Sequence, residues 1–316
     1  MPDIVVMFFL LGLIAGLLRS DLSLPQAAYD TISLLLMLTI GLKGGMALYD
    51  NLNWQLLPQL FAVIMIGALI PLLLLPILRR AVRLNLEDSA SIAAHYGSVS
   101  AGTFAVALSY VEARNLPFAP EVTLYLVAME LPAIIVGLLL YRRLQPASTP
   151  QPTMGKLWHE AFTSRGVVLL LGGVIIGMMY GPQQGAAVTD LYTGAFKAVL
   201  ALFLLEMGLS AAETFRPLPW AHWRLLVFAL VAPPVLALLG IAVALTLEMP
   251  VGSAIIVASL TASASYIAAP VAIKGAIPSA DIGLAMLASL GLTFPFNVIV
   301  GISLYHAIIG ATTVLP

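Results

Sequence analysis

Two short runs of glycine, alanine and hydroxyl residues interrupt otherwise apolar stretches of the sequence. The first is GSVSAGT at residues 97–103, and the second is TASASY at residues 261–266. Where such runs break a membrane helix, the freed backbone groups must line a cavity, because lipid cannot hydrogen-bond to them. Hydroxyl groups and the positive N-terminal ends of half-helices suit a small oxyanion, whereas freed carbonyl oxygens suit a cation such as Na⁺. The two runs therefore indicate a paired site for an oxyanion and a cation.

Small residues also have a purely structural use in membranes. Glycine, alanine, serine and threonine let transmembrane helices pack closely, and a single run of this kind is explained most simply in that way. Two runs at equivalent places in an internal repeat favour a binding site instead.

The composition places the chain in a membrane. Of its 316 residues, 61% are hydrophobic and 9% are charged, and the mean hydropathy is +1.03. Such a chain has too few charged side chains to cover the surface of a soluble domain. The absence of cysteine excludes disulfides and thiolate metal sites, and the four histidines lack metal-ligand spacing. No polybasic segment indicates a nucleic acid partner. We therefore expect a polytopic membrane protein without a resident cofactor.

Apolar segments of about 18 to 25 residues predict an all-α integral membrane protein with ten transmembrane helices. They lie at residues 3–18, 31–49, 57–78, 89–111, 121–141, 165–181, 190–211, 222–247, 251–271 and 283–310. A polar segment containing QPASTPQPT separates the fifth from the sixth. We interpret residues 1–143 as a first five-helix unit, 144–164 as a linker and 165–316 as a second five-helix unit.

Lysine and arginine are distributed unequally between the two sides of these spans. If alternate connections share a side, one side holds eleven of the fourteen cations, the other holds Arg114 and Lys197, and Lys43 lies within a span. Loops rich in lysine and arginine stay in the cytoplasm. The distribution predicts a cytoplasmic linker and both termini outside.

The two five-helix units resemble each other in sequence. IGLKGGMALYDNLNW at 40–54 can be laid over MGLSAAETFRPLPW at 207–220, and SVSAGTFAVAL at 98–108 over SASYIAAPVAI at 263–273. Because each unit has an odd number of spans, the two copies must lie in opposite orientations, as in many secondary transporters. The pattern predicts two inverted five-helix repeats whose fourth and ninth helices are broken at the serine runs.

The order of these motifs resembles the sodium-dependent bicarbonate transporter family first known from cyanobacteria. The resemblance rests on IGLKGG, the serine run with FAVAL, YLVAMELPAI and SASYIAAPVAIKGAIPSA, and it spans nearly the whole chain. It implies a bacterial inner-membrane homotrimer that moves bicarbonate with Na⁺ by an elevator-type motion. By position, the family's binding region falls on Gly97, Ser98, Ser100, Gly102, Thr103, Ser263, Ala264 and Ser265.

The chain departs from the family pattern at three places. Tyr266 follows the second serine run where the family has an acidic residue, and Lys43 stands where a threonine is expected. Lys43 has three possible roles: pairing with Glu206, supplying the positive charge that Na⁺ supplies elsewhere, or extending to the membrane interface. The third departure is the central linker, which is shorter than the cytoplasmic insert of the cyanobacterial members. The short linker argues against binding of their PII-like regulatory protein.

Other polar residues inside the predicted spans are candidates for coupling or gating, because an intramembrane polar group is costly to bury. With Lys43 and Tyr266, the candidates are Glu130, Thr293 and Asn297. Glu130 alternatively makes a hydrogen bond between helices.

Three function classes fit these residues to different degrees. Na⁺-coupled symport of bicarbonate or a similar small anion accounts for the inverted repeat and the paired polar breaks. A cation- or proton-coupled transporter of another small organic anion, or a cation/proton antiporter, is the alternative, although neither serine run contains a carboxylate. A remote alternative is an intramembrane serine hydrolase with Ser100 as nucleophile and His306 as base, which requires the two side chains to lie within about 3 Å.

Overall fold

The computed structural model describes residues 3–49, 54, 56–145, 155, 163, 165–216 and 220–313. The described part is all-helical and contains no strand, with 84% helix. Most of the predicted linker at 144–164 lies outside the described residues. The first half contains helices α1 (Ile4–Leu17), α2 (Gln26–Leu48), α3 (Leu56–Ile77), α4 (Leu86–Gly97), α5 (Ala101–Ala113) and α6 (Val122–Leu144).

The second half has a more irregular last segment. Its helices are α7 (Arg165–Gln184), α8 (Ala186–Thr214), α9 (Trp223–Thr246), α10 (Val251–Thr261), α11 (Ala268–Ala276), α12 (Ile282–Met286), α13 (Phe294–Phe296) and α14 (Ile302–Thr313). Wider π-helical turns follow α3, α12 and α13, at Leu78–Val82, Leu287–Thr293 and Asn297–Gly301.

Within the described ranges, seven helical segments are long and apolar enough to cross a membrane. They confirm a multi-pass membrane protein, and they coincide with seven of the predicted spans. The remaining predictions, at 3–18, 89–111 and 251–271, fall on shorter helices. The latter two are each divided, because α4 and α5 have only 12 and 13 residues and α10 and α11 have 11 and 9. At 1.5 Å per residue, none of these four half-helices spans about 30 Å of hydrocarbon alone.

Among the described helices, α2 with α7 and α1 with α8 make the most extensive contacts. Glycines spaced four apart allow this approach: a Cβ added to Gly41 would lie 2.5 Å from the carbonyl oxygen of Leu170, and one added to Gly45 would collide with Val174. Such spacing is typical of close transmembrane pairs. The half-helices pack elsewhere, α4 on α3 and α6, and α10 on α9 and α14.

Candidate functional site

The two helix breaks meet in the interior of the protein. The backbone N–H of Ser100 donates to Ser263 Oγ at 3.0 Å, and the backbone N–H of Ser265 donates to the carbonyl oxygen of His95 at 2.7 Å. Both bonds join residues that lie more than 160 positions apart in the chain. The two serine runs, predicted to lie together, are therefore in direct contact.

Three of the predicted ligand hydroxyls stabilise the breaks themselves. Ser100 Oγ accepts from the N–H of Thr103 at 3.0 Å and caps α5. Ser263 Oγ also donates to the carbonyl oxygen of Leu260 at 2.8 Å, and Ser265 Oγ accepts from the N–H of Ala269 at 3.2 Å at the start of α11. These hydroxyls hold the backbone open, as capping side chains do at helix ends.

Two other predicted ligands remain free at the first break. Ser98 Oγ and Thr103 Oγ1 are fully buried and have no hydrogen-bond partner in the described part of the chain. A buried hydroxyl without a partner costs about 1–3 kcal/mol, so a ligand that satisfies both groups gains from binding there. The first N–H groups of α5, those of Ala101 and Gly102, also lack an acceptor within their own helix.

The two breaks present partial charges of both signs. The N-terminal ends of α5 and α11 each carry about half a positive charge, and the C-terminal ends of α4 and α10 at the same breaks each carry about half a negative charge. Neither serine run contains an acidic residue. Among the described residues, no group of three or more histidine, aspartate or glutamate side chains could hold a metal ion. A cation here would therefore have to be held by hydroxyl and carbonyl oxygens, which are ligands that hard cations accept.

Tyr266 covers the start of α5. Its hydroxyl lies against the Cα of Gly102, so closely that an added Cβ would collide with it. The ring packs edge-on against Phe294 at 5.3 Å between centroids, and the hydroxyl makes no standard hydrogen bond to described residues. Tyr266 also lines a cavity of about 940 Å³ together with Tyr29 and Glu206. The phenol thus separates this cavity from the first break.

A second cavity, of about 510 Å³, approaches the second break from another direction. Glu130 lines it together with Tyr29, Ser33 and the first residues of α11, Ile267 and Ala268. Glu130 is 7% exposed, and its Oε2 has no partner among the described residues. The structure therefore places a buried carboxylate beside α11, on a helix that sequence reasoning did not connect with the break.

The predicted gating residues Thr293 and Asn297 hold the breaks from outside. Thr293 Oγ1 donates to the carbonyl oxygen of Ala229 at 2.8 Å and lies 2.6 Å from the hydroxyl of Tyr96, next to the end of α4. Asn297 Nδ2 donates to the carbonyl oxygen of Ala262 at 2.8 Å, at the end of α10. Both side chains form hydrogen bonds to backbone carbonyls and to tyrosine hydroxyls. We therefore interpret them as positioning residues.

Gly97 and Ala264 contribute space rather than ligand atoms. A Cβ on Gly97 would lie 2.5 Å from Pro71 and 2.8 Å from Ala133, so glycine permits the end of α4 to approach α3 and α6. Ala264 is buried within the second break at 2% exposure.

The predicted pairing of Lys43 with Glu206 is wrong. Lys43 Nζ lies 2.6 Å from Glu112 Oε1, and Glu206 accepts from Ser210 Oγ at 3.2 Å. Lys43 also lies in the last third of α2 rather than at its middle. Its partner is twelve residues beyond Ser100 on α5, about 18 Å along the helix. A direct contribution of its charge at the break is therefore not supported.

The hydrolase arrangement is also wrong. His306 Nδ1 lies 3.0 Å from the hydroxyl of Tyr110, which is ten residues and about 15 Å along α5 from Ser100. A base at that distance cannot take a proton from the serine.

Sequence reasoning missed three residues that shape the site. His95 supplies the carbonyl that Ser265 uses, Tyr96 binds Thr293, and Tyr29 lines both cavities. His95 and Tyr96 directly precede GSVSAGT, so their position beside a predicted break was the available signal. Tyr29 lies near the start of α2 and offered none.

Residues 4–310 match the family model described as the Na⁺-dependent bicarbonate transporter superfamily. No curated protein matches the chain.

Proposed function

The chain belongs to the Na⁺-dependent bicarbonate transporter superfamily, and from that premise we propose that it carries bicarbonate, or a similar small anion, in symport with Na⁺. Membership in a transporter family also makes it a transporter rather than an enzyme.

One observation carries the proposal: the two helix breaks contact each other beside two buried hydroxyls that lack partners among the described residues. Ser98 Oγ and Thr103 Oγ1 would bind the anion, together with the N–H groups of Ala101 and Gly102, which have no acceptor within α5. A small planar oxyanion presents several acceptor oxygens to these donors. Hydroxyl groups can also accept, and so Na⁺ would bind beside the anion on the hydroxyl and carbonyl oxygens of the same breaks.

The packing supports a division into a scaffold and a moving core. Helices α1, α2, α7 and α8 pack mainly on one another. The half-helices α4, α10 and α11 pack on α3, α6, α9 and the last segment, and α5 packs on α10 and also contacts α8. In two inverted repeats, α1 would be equivalent to α7 and α2 to α8. The contact of α1 with α8 would then be equivalent to that of α2 with α7. Counting α1 and the two divided helices with the seven long spans gives ten crossings. We propose an elevator-type motion of the core, within a homotrimer.

The large cavity indicates how the protein is oriented in the membrane and to which side the site is open. Arg216 and His222 lie at its rim and Tyr266 lies at its inner end. Arg216 belongs to the arginine-rich side, which is cytoplasmic under the positive-inside rule. We therefore propose that both termini lie outside a bacterial inner membrane and that the site here faces the cytoplasm.

The test is uptake of labelled bicarbonate into proteoliposomes, with and without an inward Na⁺ gradient, at fixed pH and voltage. Uptake that requires the gradient supports the proposal. Ser98→Ala and Thr103→Val should each lower the apparent affinity for bicarbonate, by roughly tenfold to a hundredfold for one lost hydrogen bond to a charged group. Thr246→Val is the matched control, since its hydroxyl bonds Ala242 within an exposed turn. If both site variants behave like the control, the site assignment is wrong.

Glu130 favours a second candidate, proton-coupled transport of a small organic anion. Its carboxylate lines a cavity that reaches the start of α11, where a proton could be exchanged during the cycle. An inward proton gradient without Na⁺ should then drive uptake of the organic anion by the parent protein and not by the Glu130→Gln variant. Uptake by both proteins, or by neither, contradicts this candidate.

A further inference from the structure

Two cavities adjoin each other between the end of α3 and the start of α9, away from the helix breaks. The larger, of about 640 Å³, runs down the groove between the two helices. The smaller, of about 480 Å³, lies at the helix ends. Both are lined by Val82, Arg83, Trp223 and Arg224. The shared wall makes them one continuous site with two chemically different ends.

The larger cavity is an apolar groove. Ile77 of α3 and Val227, Val231 and Val235 of α9 line it, and each is about half exposed, between 45% and 54%. The valines are four residues apart, so they form one stripe about 12 Å long on the face of α9. In a membrane-spanning helix this stripe faces hydrocarbon, and the recess beside it fits an acyl chain.

The smaller cavity is polar and carries positive charge. Arg83 and Arg224 lie where it joins the groove, Arg80 lies at the edge of the groove, and Asn85 and His222 line the far wall. Its one acidic residue, Asp88, accepts from the backbone N–H of Asp281 at 2.7 Å. The arginines are thus the dominant charges facing this space, and Trp223 stands at the level typical of a membrane interface.

We propose that this site binds one anionic phospholipid, with its headgroup phosphate between Arg83 and Arg224 and one acyl chain along the valine stripe. Basic pockets between transmembrane helices recognise lipid phosphates in this way, and arginine suits phosphate because it donates in a planar fork. A soluble anion would leave the groove empty, whereas a phospholipid fills both ends. The site involves neither the helix breaks nor the transported ions, so it goes beyond the proposed transport function.

The test uses the full chain with Trp223 as its one tryptophan, after Trp54→Phe, Trp158→Phe and Trp220→Phe. The protein is placed in phosphatidylcholine bilayers containing a minor fraction of acyl-brominated lipid, which quenches nearby tryptophan fluorescence. Brominated phosphatidylglycerol should bind beside Trp223 at least about fivefold more tightly than brominated phosphatidylcholine, since each arginine near a bilayer contributes about that factor. Equal quenching by the two lipids overturns the proposal without any further variant.

The variant Arg83→Gln/Arg224→Gln should reduce the preference for phosphatidylglycerol to near parity. Arg79→Gln is the matched control, because Arg79 lies in the π-helical turn Leu78–Val82 that Arg83 directly follows but does not line either cavity. It should keep the preference. A preference that survives in the double variant, or that the control loses equally, also overturns the proposal. Circular dichroism of each variant verifies that it is folded.

Discussion

Lys43 and Glu112 form an ion pair of 2.6 Å that joins α2 to the end of α5. The ammonium group also lies 4.5 Å from the ring centre of Phe196. Each side chain is about a quarter exposed, at 23% and 26%. Two charges within membrane-spanning segments thus neutralise each other across the boundary between the proposed scaffold and the proposed core.

Removing one member of this pair should destabilise the protein more than removing both. Lys43→Met or Glu112→Gln alone leaves a charge without its partner, which costs about 3–5 kcal/mol for a fully buried pair and about 1–3 kcal/mol at this exposure. The double variant leaves no charge and should lose less than the sum of the single losses. Unfolding free energies in detergent, combined in a double-mutant cycle, measure the coupling. Strictly additive losses would show that the two groups do not interact.

The pairing of Lys43 illustrates which features the sequence alone could predict. The two serine runs were predicted to meet, because small hydroxyl residues inside apolar segments and their repeat spacing are visible in the sequence. The partner of Lys43 depends on the depth and rotation of α2 relative to α5, 69 positions away, and apolar periodicity determines neither. For the same reason, the sequence did not separate the capping hydroxyls of Ser100, Ser263 and Ser265 from the free ones of Ser98 and Thr103. Backbone direction at each break decides that division.

Adding a methyl group at Gly102 should disrupt the site, and shortening Tyr266 should restore it. Gly102→Ala places a Cβ on the Tyr266 hydroxyl, so one of the two must move, at about 1–3 kcal/mol for overpacking. Tyr266→Phe removes the nearest colliding atom and leaves a lesser contact, 2.9 Å from the added Cβ to the ring of Phe203. We expect Gly102→Ala to lower bicarbonate uptake and thermal stability, and Gly102→Ala/Tyr266→Phe to recover a substantial part of both. No recovery in the double variant would show that the collision is not the cause.

Asn297 should stabilise the second break more than its hydrogen-bond partner Tyr305 does. Asn297→Ala removes the bond to the carbonyl of Ala262 and also leaves the hydroxyl of Tyr305 unpaired. We expect a loss of about 2–4 kcal/mol, since two buried groups lose their partners. Tyr305→Phe breaks only the bond at 2.6 Å and leaves one buried acceptor, Asn297 Oδ1, without its partner, so it should cost less, about 1–2 kcal/mol. Chemical unfolding of both variants in detergent compares them, and equal losses would contradict the positioning role of Asn297.

Glycines at the contact between α2 and α7 should be intolerant of any side chain. A Cβ on Gly177 would lie 2.6 Å from the carbonyl oxygen of Leu42 and 2.7 Å from the backbone nitrogen of Met46, and a backbone cannot yield as a side chain can. Gly177→Ala should therefore lower the unfolding free energy by about 1–3 kcal/mol. Gly172→Ala is the control on the same helix, because a Cβ there meets nothing within 4 Å. It should leave stability unchanged or raise it by up to about 1 kcal/mol through helix propensity. Thermal unfolding in one detergent compares the two, and a neutral Gly177→Ala would mean that α2 and α7 are not packed this closely.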